Sequence, residues 1–186
     1  MESARFLVGQ FLLAMPGIGD PRFERAVIAM CGHDTEGAIG IGIGATIEGL
    51  GLHDVLEQFD IGPGKAPNAP VHFGGPVESR RGFVIHTLDW GGQDTIDVAG
   101  RWALSGTIDV LRAIAEGKGP RRWLVALGYA GWGEAQLDAE MLRHGWFNIA
   151  GDEALLYDTA VAERWARGFG SVGIDPRLLA SQTGTA

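Results

Sequence analysis

Residues 127–147 read LGYAGWGEAQLDAEMLRHGWF. The stretch opens at the end of an apolar run, Trp123 to Leu127, whose composition predicts a buried strand. Glycines at 128, 131 and 133 predict that the strand breaks there, and a short helix follows. The helix signs agree with one another. Glu134 and Asp138 lie early, where the helix dipole favours acids, and Arg143 and His144 lie in the last turn. Gly145 sits where a left-handed residue ends a helix. Leu137 and Met141, four apart, mark the buried face, while Gln136 and Glu140 share a neighbouring one. Trp132 and Trp146 bracket the whole element.

Outward from this strand and helix, the chain reads as short strands joined by glycine turns. Phe6 to Met15 is a strand closed by Pro16-Gly17, and Asp20-Pro21 starts a turn that Phe23 plugs. Ala26–Cys31 and Ala38–Ile43 form an antiparallel hairpin across the polar turn His33 to Gly37. Leu52 to Phe59 is an amphipathic helix with Leu52, Val55, Leu56 and Phe59 on one side. Strands follow at Val71–Phe73 and Gly82–Leu88, with Gly74-Gly75-Pro76 as the turn before Val77, and Ile96–Val98 pairs with Trp102–Leu104. Thr107 or Ser105 caps a helix from Ile108 to Ala115, ended by Gly117. After Trp146-Phe147 a strand ends near Gly151, Asp152 caps a short turn, and Val161–Phe169 is a helix. The tail from about residue 180 is expected to fray.

At 186 residues the chain fits one domain, 1–186, with a core that needs no staples. A net charge of −8 repels phosphate backbones and argues against direct nucleic-acid binding. The single cysteine, Cys31, fits a reducing cytosol. The first residues lack a basic region ahead of their apolar run, and no apolar stretch reaches membrane-span length. A soluble cytoplasmic protein is the expectation. Gly40, Gly42 and Ala45 match a loose dinucleotide-binding pattern, but the glycines alternate with isoleucine inside a strand, without the required strand-turn-helix context.

Four pieces in this order, FLLAMPGIGDPRFERAVIAMCGHDTEGAIG, FGGPVESRRGFVIH, LSGTIDVLRAIAEG and the opening stretch, resemble the YqgE/AlgH family of bacterial proteins over roughly Gly9 to Ile174. The resemblance implies an α/β domain (α+β type) with a bent, largely antiparallel sheet forming a pseudo-barrel, flanked by short helices. It implies no established activity; some members are called transcriptional regulators. The chain departs from the family's habits at Ala135 and Asp138, where Gly and Glu are common, at Arg80, where an acid is common, and at Gly44, where asparagine is frequent.

Two constellations stand out as candidate sites. Gly74 and Gly75 with Arg80 and Arg81 read either as an anion pocket of convergent backbone N–H groups and guanidinium donors, or as a tight turn followed by solvated arginines. Arg81 paired with Glu140 or Asp138 is a third reading. Tyr129, Trp132, Gln136 and Glu140 read either as a ligand pocket or as core aromatics with a Gln/Glu pair tying helix to sheet. Cys31 and His33 lack the partners of a metal or redox site, so Cys31 reads as a small hydrophobe and His33 as a turn residue. Lys118, Arg121 and Arg122 are the densest cations, at the end of a helix that favours them. His53, His72, His86 and His144 are dispersed, and no G-x-S-x-G nucleophile motif accompanies them. No cofactor or metal is called for. The expectation is a non-enzymatic binding or regulatory protein, working through a protein partner or a small ligand. The alternative is an enzyme or a binder of small anions or metabolites, using the Gly74–Arg81 turn and the Tyr129–Glu140 segment.

Overall fold

Strand β9 (Trp123–Trp132) organises the molecule, because it pairs with three other strands. The computed structural model describes residues 6–18, 20–143 and 145–183. Along one edge β9 runs antiparallel to β6 (Val77–His86). Its other edge is shared: residues 125–127 run parallel to β5 (Pro70–Phe73), and residues 130–132 run antiparallel to β3 (Gly37–Gly42). From β3 the sheet continues through β2 (Val27–Asp34) and β1 (Gln10–Ala14) to β10 (Trp146–Ala150). From β6 it continues through β8 (Trp102–Ser105) to β7 (Ile96–Val98), and β4 (Thr46–Gly51) pairs with β5. The result is a mixed α/β fold, a curled, mostly antiparallel half-barrel with several short helices.

The expected break at Gly128 is a bulge instead. Gly128 adopts a left-handed φ of 78° and the strand continues through Gly131 to Trp132. Opposite it, Leu127 pairs with Gly82 and Tyr129 with Val77, so residues 78–81 loop out of β6. A bulge advances the side-chain alternation by one position. Ala126 and Tyr129 therefore share one face, over a cluster that includes Phe11, Ile41, Phe83, Ile85 and Trp102. Val125 and Leu127 face α1 (Leu52–Gln58) and α2 (Ile108–Glu116), while Ala130 and Trp132 join a third cluster with Leu137 and Trp146.

The helices form largely where their stripes predict, although Thr107 takes the N-cap of α2 without a side-chain cap bond, its hydroxyl facing the Asp94 and Asp109 carboxylates instead. Gly117 ends α2 in the left-handed region, with Val110, Leu111, Ile114 and Ala115 buried. In α1, Leu52, Val55 and Leu56 are buried, but Phe59 is 40% exposed, because the helix ends at Gln58 and Phe59 takes the C-cap with a non-helical ψ. The expected helix at 161–169 splits into a 3-10 turn, Val161–Glu163, and α5 (Arg164–Gly170). A further helix, α6 (Pro176–Thr183), was not legible in the sequence. The end of the tail, 184–186, lies outside the described residues, as does His144. His33 corrects the turn assignment: Asp34 pairs with Gly37, so the hairpin turn contracts to Thr35-Glu36 and His33 lies buried on β2. No helix among the described residues is long and apolar enough to cross a membrane.

One cation lies deep inside. Arg164 is 3% exposed and donates to the carbonyls of Ile43, Leu155 and Leu156 and to His72 Nε2, at 2.7–3.0 Å. His72 Nδ1 in turn donates to the Val125 carbonyl, leaving Nε2 as the acceptor for Arg164. Burial, then the adjacent guanidinium, lowers the His72 pKa to about 4. The unfolded chain therefore takes up a proton between pH 6.5 and 4 that the folded chain refuses. Stability present above pH 6.5 is expected to fall by roughly 3 kcal/mol as the pH drops to 4. Urea titrations of the wild type and of His72→Gln across this range check it; the variant should lose this component of the pH dependence.

Candidate ligand cleft

The helix after β9, α3 (Gln136–Leu142), is set at a fixed angle to the sheet by both backbone and side chains. Ala135 takes a left-handed φ of 59° and turns the chain sharply out of β9. Gly133 N–H donates to Gln136 Oε1, which closes the turn, and Leu137 is buried while Met141 packs beside it. The central group is Glu140. Its Oε1 accepts from the indole N–H of Trp132 and from that of Trp146, both at 2.9 Å, and its Oε2 accepts from Gln136 Nε2 at 3.1 Å. One carboxylate thus joins α3 to both β9 and β10.

This knot forms the wall of a cleft of about 500 Å³, the size of a small-molecule site. Trp132, Gln136 and Glu140 line one side, Pro76 and Val77 another, and Ile18, Asp20 and Phe23 a third. Phe23 meets Trp146 edge to face, with ring centroids 5.6 Å apart. A neighbouring cleft of about 520 Å³ shares Gly17, Ile18 and Asp20 and reaches toward Trp165 and Pro176.

The residues singled out in the sequence separate into two groups. Trp132, Gln136 and Glu140 converge on the cleft. Gly74 and Gly75 lie behind it, lining a smaller cavity of about 100 Å³. Their main relation is to β9: a Cβ on either would approach the backbone of Gly128 or Tyr129 closer than 3.0 Å. Gly74 also bonds across the sheet branch, donating to the Leu127 carbonyl and accepting from Gly42 N–H. Tyr129 points the other way, because the bulge at Gly128 places it against Phe83, 5.9 Å between centroids. Burial, and the Glu78 carboxylate beside it, raise its phenol pKa.

Arg81 does not meet Glu140 or Asp138. It sits in the looped-out segment of β6, 3.7 Å from Glu78 and with its guanidinium 4.9 Å from the Phe83 ring centre. Asp138 lies 3.6 Å from His33 Nε2, and His33 Nδ1 accepts from Leu7 N–H. Cys31 is buried and its thiol is pushed up to about 12 by burial, so it carries no thiolate at neutral pH. Among the described residues no group of three or more His, Cys, Asp or Glu could hold a metal ion.

Ile18, Asp20, Phe23, Pro76, Arg143 and Trp146 also line the cleft but carry no local mark of it, because they reach it from separate parts of the chain. The bracketing of α3 by Trp132 and Trp146 was the available signal. Removing the central carboxylate is expected to be costly. Glu140→Leu leaves two partly buried indole N–H groups without their acceptor and should lower stability by about 2 kcal/mol. Urea unfolding followed by tryptophan fluorescence measures it, and an unchanged midpoint would show that the indoles find other partners.

Comparison with known proteins bears on the whole chain. The UPF0301 protein of Rhizorhabdus wittichii is 59% identical over 186 residues, covering 100% of both chains. The UPF0301 protein of Novosphingobium aromaticivorans is 54% identical over the same coverage. The solution structure of the AlgH protein from Pseudomonas aeruginosa superposes with a TM-score of 0.80 at 38% identity, covering 96% of this chain and 95% of that one. A crystal structure of a protein from Corynebacterium diphtheriae, 17% identical, shares the fold with a TM-score of 0.75 over 94% of this chain and 91% of its own. The family model described as AlgH-like matches residues 11–177, and the chain belongs to that family.

Proposed function

We propose that the protein acts by binding, and that the cleft between α3, Pro76-Val77 and the side chains of Ile18, Asp20 and Phe23 is where it binds. The observation that supports this is the shape of the cleft. About 500 Å³ of space lies against a mixed wall in which Ile18, Phe23 and Val77 stand beside Asp20, Gln136 and Arg143, with the Glu140 carboxylate held in place by the indoles of Trp132 and Trp146. A polar group fixed by its neighbours beside apolar surface is an arrangement suited to recognition.

The setting is a regulatory role in the cytoplasm, exerted through a protein partner. The chain's net charge of −8 supports a partner over direct DNA contact. Duplex DNA binding that persists at physiological salt would reverse that clause. The reading is tested by native mass spectrometry on protein purified gently from its own cells, set against its denatured mass. A reproducible extra mass that is lost from a Val77→Trp variant, whose larger side chain fills the cleft, is expected. The same extra mass retained by the variant would move the binding site elsewhere.

A further inference from the structure

We infer that the cleft beside α3 takes a small organic cation, an ammonium or amidinium group carried on an apolar body; the inference rests on the cleft being the ligand site. One reading of the sequence is an anion pocket, in which Arg80 and Arg81 follow the Gly74-Gly75 turn. The fold removes the Arg81 guanidinium to Glu78 and the Phe83 ring. What remains on the lining is a carboxylate with an acceptor position to spare. Each oxygen of an ionised carboxylate accepts about two hydrogen bonds. Glu140 Oε1 already holds two indole N–H groups, whereas Oε2 holds one amide. An ammonium hydrogen completes Oε2 without disturbing the knot.

The surroundings favour the same charge. Trp132 and Trp146 put aromatic surface on the lining beside Glu140, and aromatic rings attract cations. The chain as a whole carries −8, which raises the local concentration of cations and lowers that of anions. Arg143 is the opposing group. It lines the cleft, is exposed, and has no ion-pair partner among the described residues. At the C-cap of α3, three positions beyond Glu140, it adds positive charge to the lining.

Three probes with one apolar body separate the possibilities: phenethylammonium, phenethyl alcohol and 3-phenylpropionate. Binding at pH 7 and low salt is read from the indole N–H signals of Trp132 and Trp146 in ¹H–¹⁵N spectra, since both protons contact Glu140. The ammonium probe is expected to bind at least about ten-fold more tightly than the alcohol, the difference expected of one charge-assisted hydrogen bond. Arg143→Ala, a change at an exposed position, is expected to tighten the ammonium probe several-fold. Equal or tighter binding of 3-phenylpropionate overturns the inference about charge and leaves the cleft as the ligand site. Failure of all three probes to shift either indole, in wild type and in Arg143→Ala, defeats the cleft reading itself.

Discussion

Gly75→Ala is expected to destabilise the fold by at least about 4 kcal/mol, in the range reserved for severe core faults. Two effects combine. Gly75 has a φ of 152°, which L residues rarely adopt, and a Cβ there would come closer than 3.0 Å to the carbonyl carbon and oxygen of Tyr129 and to the Ala130 nitrogen. These are backbone atoms of β9, held by strands on both edges, and they cannot swing aside as a side chain would. Relief requires parting the β5–β6 connection from β9, which opens the sheet at its branch. Urea unfolding of Gly75→Ala against Gly62→Ala measures the effect. Gly62 has open space around its missing Cβ, so its variant should stay close to wild type. If Gly75→Ala matched it, the close approach of the two backbones would not be a determinant of the fold.

Arg164→Met is the second large effect, an expected loss of about 3–5 kcal/mol. The methionine fills much of the volume, but the carbonyls of Ile43, Leu155 and Leu156 lose their donor in a site that water does not reach. Burial already lowers the guanidinium pKa to about 10, which shows how strongly the site penalises charge. One planar group satisfies four acceptors from three segments, tying α4 (Glu153–Tyr157) to the end of β3 and to His72 on β5. Arg164→Lys keeps the charge but not the fork, and should fall between wild type and methionine. Arg167→Ala, which removes an exposed pair with Glu163, should be close to neutral. A methionine variant as stable as wild type would mean that the three carbonyls are relieved by relaxation or by water.

These two positions also mark the limits of what the sequence discloses. Periodicity and caps located α2, the β2–β3 and β7–β8 hairpins and the buried face of α3, because each is decided by residues close together in the chain. β9 was cut short at Gly128, since a glycine that bends a strand and a glycine that ends one look alike until the partner strand is seen. β4 went unread because its residues are half exposed and include two glycines. Only part of the candidate cleft was legible: Trp132, Gln136 and Glu140 lie within nine residues and share one knot. Tyr129 and Arg81 were grouped with them because the shift in side-chain alternation at Gly128, and the loop opposite it, leave no mark in local pattern. Arg164 gave no signal at all, since an arginine in an amphipathic helix ordinarily faces water.

The order in which the strands meet has a consequence for how the chain reaches this structure. β1 is made among the first residues, yet its outer neighbour is β10, and the hydrogen bond from Asn148 to Gln10 closes a loop of 138 positions. β9, the strand that β3, β5 and β6 all need, likewise comes late. During synthesis the first hundred residues can form hairpins but have no central strand to gather on, and their edges stay open. Such long-range pairing makes for slow folding. The nascent chain should therefore spend its time on the ribosome exposing unpaired strands, as a client for chaperones, and collapse only when the glycine-rich strand at 123–132 emerges.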